Sequence, residues 1–545
     1  MNTNTEERAR REAGMPARGA RHPPPTATAS LAALVGAAAL LPAGYLVIRA
    51  TEATGQTWDV ILRSSTAWLF ARSLGLAAAV TAACILIGVP LAWLTTRTDL
   101  PGRRAWATLF ALPLAFPSYV FALALTGSFG DRGMLVAVLG TFGVEGLPSI
   151  SGFFGAFFAL TLLCFPYVYL VTAAGIRGLD PSVEEVSRTL GRGRWRTFLG
   201  VTLPLLRPSI AAGGLLVALY CLHDFGAVSL MRFQTFTQAI FLQYRAAFDR
   251  TPAAILSLAL ILLAVLILAV EQRARGRARY HRTAAGAGRP ATTIALGRWR
   301  WPAVVASGVV VVGSLLMPVA VLGFWLGRGV RAGVPFDLTW SAAAGAIGLG
   351  ASGSALTLLA AVPVAVLAAR HPGRVSSTIE RAAHVGYALP GLVVGLAFVF
   401  LAVRTAPPLY QTIPLVLLAY LVLFLPQASQ PLKNAIQQVN PRLEEAARTL
   451  GRTRLQAFRE VVVPQVAGPA LAGAALVFLT VMKELPATLL LRPTGFETLA
   501  TRVWSWTSAG RLSQAAAPAL LLVALCAVPL YLLARRVQPE DVRAE

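Results

Sequence analysis

Residues Asp180–Pro208 read DPSVEEVSRTLGRGRWRTFLGVTLPLLRP, and residues Asn440–Gly468 read NPRLEEAARTLGRTRLQAFREVVVPQVAG. The two stretches lie 260 residues apart, and 12 of their 29 positions are identical. The matches include Pro181/Pro441, Glu184/Glu444, Glu185/Glu445, Gly191/Gly451, Phe198/Phe458 and Pro204/Pro464. An in-frame repeat of this length marks a chain built from two copies of one unit. Each copy predicts the same local structure. Asp180 or Asn440 is a good N-cap, proline suits the first helical position, and paired glutamates in the first turn favour the helix dipole. Gly191 or Gly451 stops that helix. A basic amphipathic segment then leads to Pro204 or Pro464, where an apolar run begins.

The surroundings of the repeat are apolar. The chain has 545 residues, of which 56% are hydrophobic and only 13% charged, with a mean hydropathy of +0.65. That balance excludes an ordinary soluble protein and fits an all-α polytopic membrane protein. Runs of roughly 17 to 25 apolar residues, the length needed to cross a bilayer, recur twelve times. They fall near Leu31–Ile48, Leu69–Leu94, Ala107–Gly127, Gly152–Gly175, Leu203–Leu222 and Ala253–Val270. The second series falls near Pro302–Leu326, Ala343–Ala368, Ala382–Val403, Ile413–Pro431, Val466–Met482 and Gln514–Leu533. The predicted organisation is a disordered cytoplasmic tail over residues 1–30, a first half over 31–271, an Arg-, Gly- and Ala-rich linker over 272–301 and a second half over 302–545. The halves echo each other outside the central motif, Ala111-Leu112-Pro113 with Ala388-Leu389-Pro390 and Pro166 with Pro426.

Charge then orients the chain. The net charge of +24 comes from arginines bordering the apolar runs, which membrane topology explains more simply than nucleic-acid binding. With the amino terminus inside, most of the 48 Lys and Arg fall on inner segments, so both termini, the linker and both repeats are expected on the cytoplasmic face of the cell (inner/plasma) membrane. Cys84, Cys164, Cys221 and Cys526 sit within apolar runs, where a small hydrophobe is the default, and form neither a disulfide framework nor a metal spacing. Neither Lys433 nor Lys483, the only two lysines, follows a glycine, so no Walker-type phosphate loop is present. None of the five histidines begins an HExxH, and no Gly-x-Ser-x-Gly occurs, so no catalytic residue, metal ligand or cofactor site is expected.

The spacing of the repeat is similar to the signature loop of ABC importer permeases. A glutamate is followed six residues later by glycine, and ten residues after that by Val201-Thr202-Leu203-Pro204 or Val461-Val462-Val463-Pro464. Glu445-Ala446-Ala447 fits the family's Glu-Ala-Ala pattern, whereas Glu185-Val186-Ser187 departs from it at two positions. His223-Asp224-Phe225-Gly226-Ala227 and Lys483-Glu484-Leu485-Pro486-Ala487 further resemble the fused permeases of ferric iron importers, over essentially the whole chain from Leu31. Fused permeases for thiamine or phosphonates share much of the pattern. The resemblance implies a type I permease fold whose two loops, carrying Glu184, Glu185, Gly191, Pro204, Glu444, Glu445, Gly451 and Pro464, couple it to an ATPase. It implies two ATPase copies below, a solute-binding protein above, and alternating access between them. A secondary transporter with internal repeats is the alternative class, but it needs midplane ionisable groups that the spans nearly lack. Asp224 and Glu484 occupy equivalent places. Asp224 lies 16 residues beyond Pro208, about 24 Å along its helix, which predicts a position near the outer boundary. Both are candidates for the translocation path, against the simpler reading of interfacial charges with Lys483 and His223 snorkelling beside them.

Overall fold

The computed structural model describes residues 26–52, 64–130, 132–143, 146–246, 251–274, 293–334 and 340–536. Most of the expected tail and the linker residues 275–292 lie outside them. The described residues are helical and form no strand, with one isolated bridge between Thr98 and Ile294. In the first half the helices are α1 (Thr26–Thr51), α2 (Ser64–Arg97), α3 (Arg103–Ala111), α4 (Ser118–Ser128), α5 (Met134–Leu139), α6 (Gly152–Arg177), α7 (Pro181–Thr189), α8 (Arg194–Thr197), α9 (Leu203–His223), α10 (Gly226–Leu230), α11 (Phe236–Ala246) and α12 (Thr251–Ala274). The second half has α13 (Arg300–Val311), α14 (Met317–Arg331), α15 (Trp340–Arg370), α16 (Arg374–Ala383), α17 (Gly391–Thr405), α18 (Ile413–Gln438), α19 (Pro441–Thr449), α20 (Arg454–Ala457), α21 (Val463–Lys483), α22 (Pro486–Leu491), α23 (Leu499–Ser508) and α24 (Leu512–Arg536).

Among the described residues, ten helical stretches are long and apolar enough to cross a membrane, or up to twelve when each of two bent pairs counts as one span. The bent pairs correct the expectation of continuous third spans at Ala107–Gly127 and Ala382–Val403. Residues 103–115 and 118–128 meet at 95°, and residues 374–388 and 391–405 meet at 107°. A proline stands at each bend. Phe116 and Leu389 each precede a proline, which disfavours the helical conformation, and both are extended, with ψ of 134° and 116°. Pro117 and Pro390 then cap α4 and α17 in the same extended geometry. The structural counterpart of Pro390 is therefore Pro117, at an offset of 273, and not Pro113. The offset falls to 260 by the repeat motif, so the first half carries thirteen more residues between its third and fourth spans, where α5 lies.

Each half has a three-helix core, α2 with α6 and α9, and α15 with α18 and α21. The helices approach closely where glycine allows it. A Cβ on Gly88 would meet the Tyr169 backbone nitrogen at 2.9 Å. The first span of each half leaves its own core. Helix α1 packs on α15, α16 and α17, and the Tyr45 hydroxyl donates to the Phe400 carbonyl at 3.2 Å. Helix α14 packs reciprocally on α4, where the Trp325 indole donates to the Gly127 carbonyl at 2.9 Å. Phe400 and Gly127 are again 273 residues apart. Gly329 lies beyond the apolar run expected to end at Leu326, yet it is buried inside α14.

Candidate functional site

The two repeats fold as predicted at their first helix. The Asp180 carboxylate accepts from the Ser182 amide and the Asn440 side-chain oxygen from the Arg442 amide, each at 3.0 Å. The bond to the Ser182 amide holds the Asp180 carboxyl below the ordinary aspartate range. Both helices end on a glycine in the left-handed region, Gly191 at φ +79° and Gly451 at φ +88°. The Arg192 amide then reaches back to the Ser187 carbonyl at 3.2 Å, and the Arg452 amide to the Ala447 carbonyl at 3.1 Å, closing Schellman turns.

Beyond the turn the basic amphipathic segment is not separate from the apolar run that follows it. Helices α8 and α20 run without interruption through one π-helical turn, Phe198–Thr202 or Phe458–Val462, into α9 or α21. Pro204 and Pro464 sit just inside those spans. Lacking an N–H, proline cannot serve the carbonyl four residues back, and the widened turn precedes it in both halves. The fifth span of each half is therefore an extension of its repeat motif.

Of the four glutamates, two are tied down and two are free to face outward. Glu184 accepts from the Thr202 hydroxyl at 3.0 Å and pairs with Arg97 at 3.4 Å and Arg188 at 3.6 Å. Glu444 pairs with Arg370, which also donates to the Val439 carbonyl at 3.3 Å. Sequence reasoning missed Arg97 and Arg370. Their only signal is that each is the basic residue in the last turn of a second span, 273 residues apart. Glu185 and Glu445 are exposed, beside Leu190 at 75% and Leu450 at 84% exposure. An exposed leucine at the end of each short polar helix leaves an apolar surface for a partner.

The second candidate pair converges in the interior. Asp224 and Glu484 line one cavity of about 290 Å³ between the halves, together with Tyr119, His223, Gln427 and Lys483. Each carboxylate ends its fifth span and caps the short helix that follows. Asp224 accepts from the Ala227 and Val228 amides at 2.9 and 3.2 Å, and Glu484 from the Ala487 amide at 2.9 Å. Neither is an exposed interfacial charge: Asp224 is 7% exposed and Glu484 is half-buried. Nor does Lys483 snorkel to a surface. Its Nζ donates to the Leu114 carbonyl of the opposite half at 2.7 Å. The residue facing each carboxylate is matched to its size. Gly391 faces Glu484, where a Cβ would come within 2.6 Å of the carboxylate, and its counterpart Ser118 hydrogen-bonds the shorter Asp224. Among the described residues, no three His, Cys, Asp or Glu side chains gather as a metal-holding group.

With this geometry in hand, two segments of the chain, residues 85–279 and 361–540, match the family described as binding-protein-dependent transport system inner membrane component. The chain is similar to the Fe(3+)-transport system permease protein FbpB 2 of Haemophilus influenzae, at 32% identity over 94% of this chain and 98% of that protein. It is also similar over shorter stretches to the molybdenum transport system permease protein ModB of Escherichia coli, at 34% over 26% of this chain and 60% of that protein. The sulfate transport system permease protein CysT of Escherichia coli is 30% identical over 35% of this chain and 68% of that protein.

Proposed function

We infer the function from one premise: this chain belongs to the family of binding-protein-dependent transport system inner membrane components. It is the multi-pass permease subunit of an ATP-binding cassette importer, a subunit type that works with ATPase and binding-protein partners. The specific cargo we propose is ferric iron, received from an extracytoplasmic binding protein and passed inward by alternating access. One observation carries that reading. The likeness to a permease named for Fe(3+) transport runs almost end to end in both chains, whereas the likeness to the molybdenum and sulfate permeases is partial. The chemistry of the central cavity supports it. Two carboxylates and one lysine give formal charges that suit a cation in transit and oppose an oxyanion. Two carboxylates without a third ligand hold a hard cation weakly, as a path requires.

The knobs α7 and α19 are the proposed couplers, one for each of two ATPase copies. Glu184 and Glu444 brace them from within, and Glu185, Glu445, Leu190 and Leu450 face the partner. The charge balance supports placing these knobs, the linker 272–301 and both termini in the cytoplasm, with the two halves 31–271 and 302–545 enclosing the path. The test is to purify the binding protein encoded beside this gene and titrate it with ferric iron, thiamine and an aminophosphonate by calorimetry. Uptake of the same solutes into vesicles holding the full transporter follows. Ferric binding and ferric uptake are expected. Binding of thiamine or aminophosphonate alone refutes the cargo assignment and leaves the importer class untouched.

A further inference from the structure

An amine inside a helix bundle that spans a membrane is costly and keeps a partner. Lys483 lines the same cavity as Asp224 and Glu484, yet its hydrogen bond runs to a backbone carbonyl, that of Leu114. Leu114 lies in the 3-10 turn Leu112–Ala115, where the third span of the first half breaks. In an unbroken helix its carbonyl would take an amide three or four residues on. Residue 117 is a proline with no N–H to give, and the chain bends by 95° beyond it. Lys483 supplies the missing donor from the other half of the protein.

The pseudo-symmetry of the chain shows what this bond is not. At the offset of 273 the counterpart of Leu114 is Tyr387, and at 260 the counterpart of Lys483 is His223. Tyr387 also stands three residues before a proline, Pro390, so its carbonyl loses the same donor. Both counterparts line the cavity, but the bond is not repeated. The His223 Nε2 is buried without a hydrogen-bond partner among the described residues. The Lys483–Leu114 bond is thus no requirement of the fold, since the same backbone break stands in the other half without it.

We propose that Lys483 is a one-sided latch that holds the two halves together across the cavity and makes ATP hydrolysis wait for the loaded binding protein. The bond joins the end of α21 in the second half to the 3-10 turn after α3 in the first. Any opening that parts the halves there must break it. The proposal rests on the two halves moving apart during transport and is indifferent to the cargo. A wrong cargo assignment would leave it standing.

The experiment measures ATPase activity of the reconstituted permease–ATPase complex without and with binding protein. Lys483→Met removes the donor, and Lys483→Arg keeps one. A hydrogen bond from a charged donor corresponds to about a tenfold or larger shift in a two-state equilibrium. Lys483→Met is expected to raise the rate without binding protein about tenfold and to shrink the stimulation ratio to match, while Lys483→Arg stays within about twofold of wild type. His223→Lys offers the Tyr387 carbonyl the donor it lacks, and is expected to lower the rate without binding protein. A wild-type rate and ratio in Lys483→Met overturn the latch, as does equal activation by the Met and Arg variants. If Lys483→Met fails to assemble, His223→Lys decides alone: a lowered rate supports the latch, and an unchanged rate overturns it.

Discussion

Replacing Gly191 or Gly451 by valine tests the coupling role proposed for α7 and α19 through backbone geometry alone. Both glycines sit at positive φ, +79° and +88°, and a Cβ built on either meets no atom within 4 Å. Collision of the Cβ therefore contributes nothing, and its cost is conformational. An L-residue held in the left-handed helical region costs about 1–2 kcal/mol, and a β-branched one lies at the upper end or beyond. That cost is relieved only by opening the turn, which takes the Arg192 amide off the Ser187 carbonyl, or the Arg452 amide off the Ala447 carbonyl. A change of 1–2 kcal/mol moves a local equilibrium by roughly 5- to 30-fold. If docking selects the closed turn, uptake and binding-protein-stimulated ATPase fall by up to that factor, while membrane insertion and ATPase activity of the free ATPase persist. Asparagine tolerates the left-handed region, so Gly191→Asn and Gly451→Asn are expected to stay near wild type. Reconstituted vesicles supply both readouts. Wild-type stimulation in both valine variants, or equal damage from asparagine and valine, would falsify the role of the turn.

Asp224→Asn and Glu484→Gln, singly and together, keep an oxygen for the capped amides but remove the charges, so uptake is expected to fall with ATPase stimulation largely kept. Wild-type uptake in the double variant would reduce both residues to helix caps. Gly391→Ser places a Cβ within 2.6 Å of the Glu484 carboxylate, so this variant is expected to assemble poorly and to be rescued by Glu484→Asp, which copies the Asp224–Ser118 pair. Thermal aggregation of the solubilised protein reads this, and absence of rescue refutes the size matching. Cysteine at Ala285, which lies outside the described residues, should label only from the cytoplasm. Cysteine at Ala332, the exposed residue that follows α14, should label in intact cells; equal labelling by an impermeant reagent means the span order is wrong. Because Asp180 is held below its ordinary pKa by the Ser182 amide, its cap is intact above the unfolded value and is lost as pH falls through the lower folded one. The start of α7 should then fray in acid before that of α19, whose Asn440 cap does not titrate. Hydrogen exchange corrected for intrinsic rate measures this, and Asp180→Asn should erase the difference.

The sequence by itself determined what is local or periodic. Apolar length, caps, stop glycines and a repeat in register suffice for a helical two-half membrane protein with two repeated polar motifs, because each depends on neighbouring residues or on counting. The pairing of Asp224 with Glu484 was legible as an offset of 260. Their burial in one cavity was not, because hydropathy does not record which helices meet. The tertiary structure alone decided the remainder. Pro117 and Pro390 look like any other prolines in apolar runs, and prolines such as Pro90, Pro166, Pro363 and Pro426 stay inside continuous helices. A proline bends a span sharply only where packing satisfies the backbone groups it frees. The exchange of α1 and α14 between the halves, the bracing of Glu184 by Arg97, and the reach of Lys483 to Leu114 all join residues 87 to 369 positions apart. No period or cap announces such contacts. They exist because folding brings a free carbonyl or carboxylate of one segment beside a donor from another.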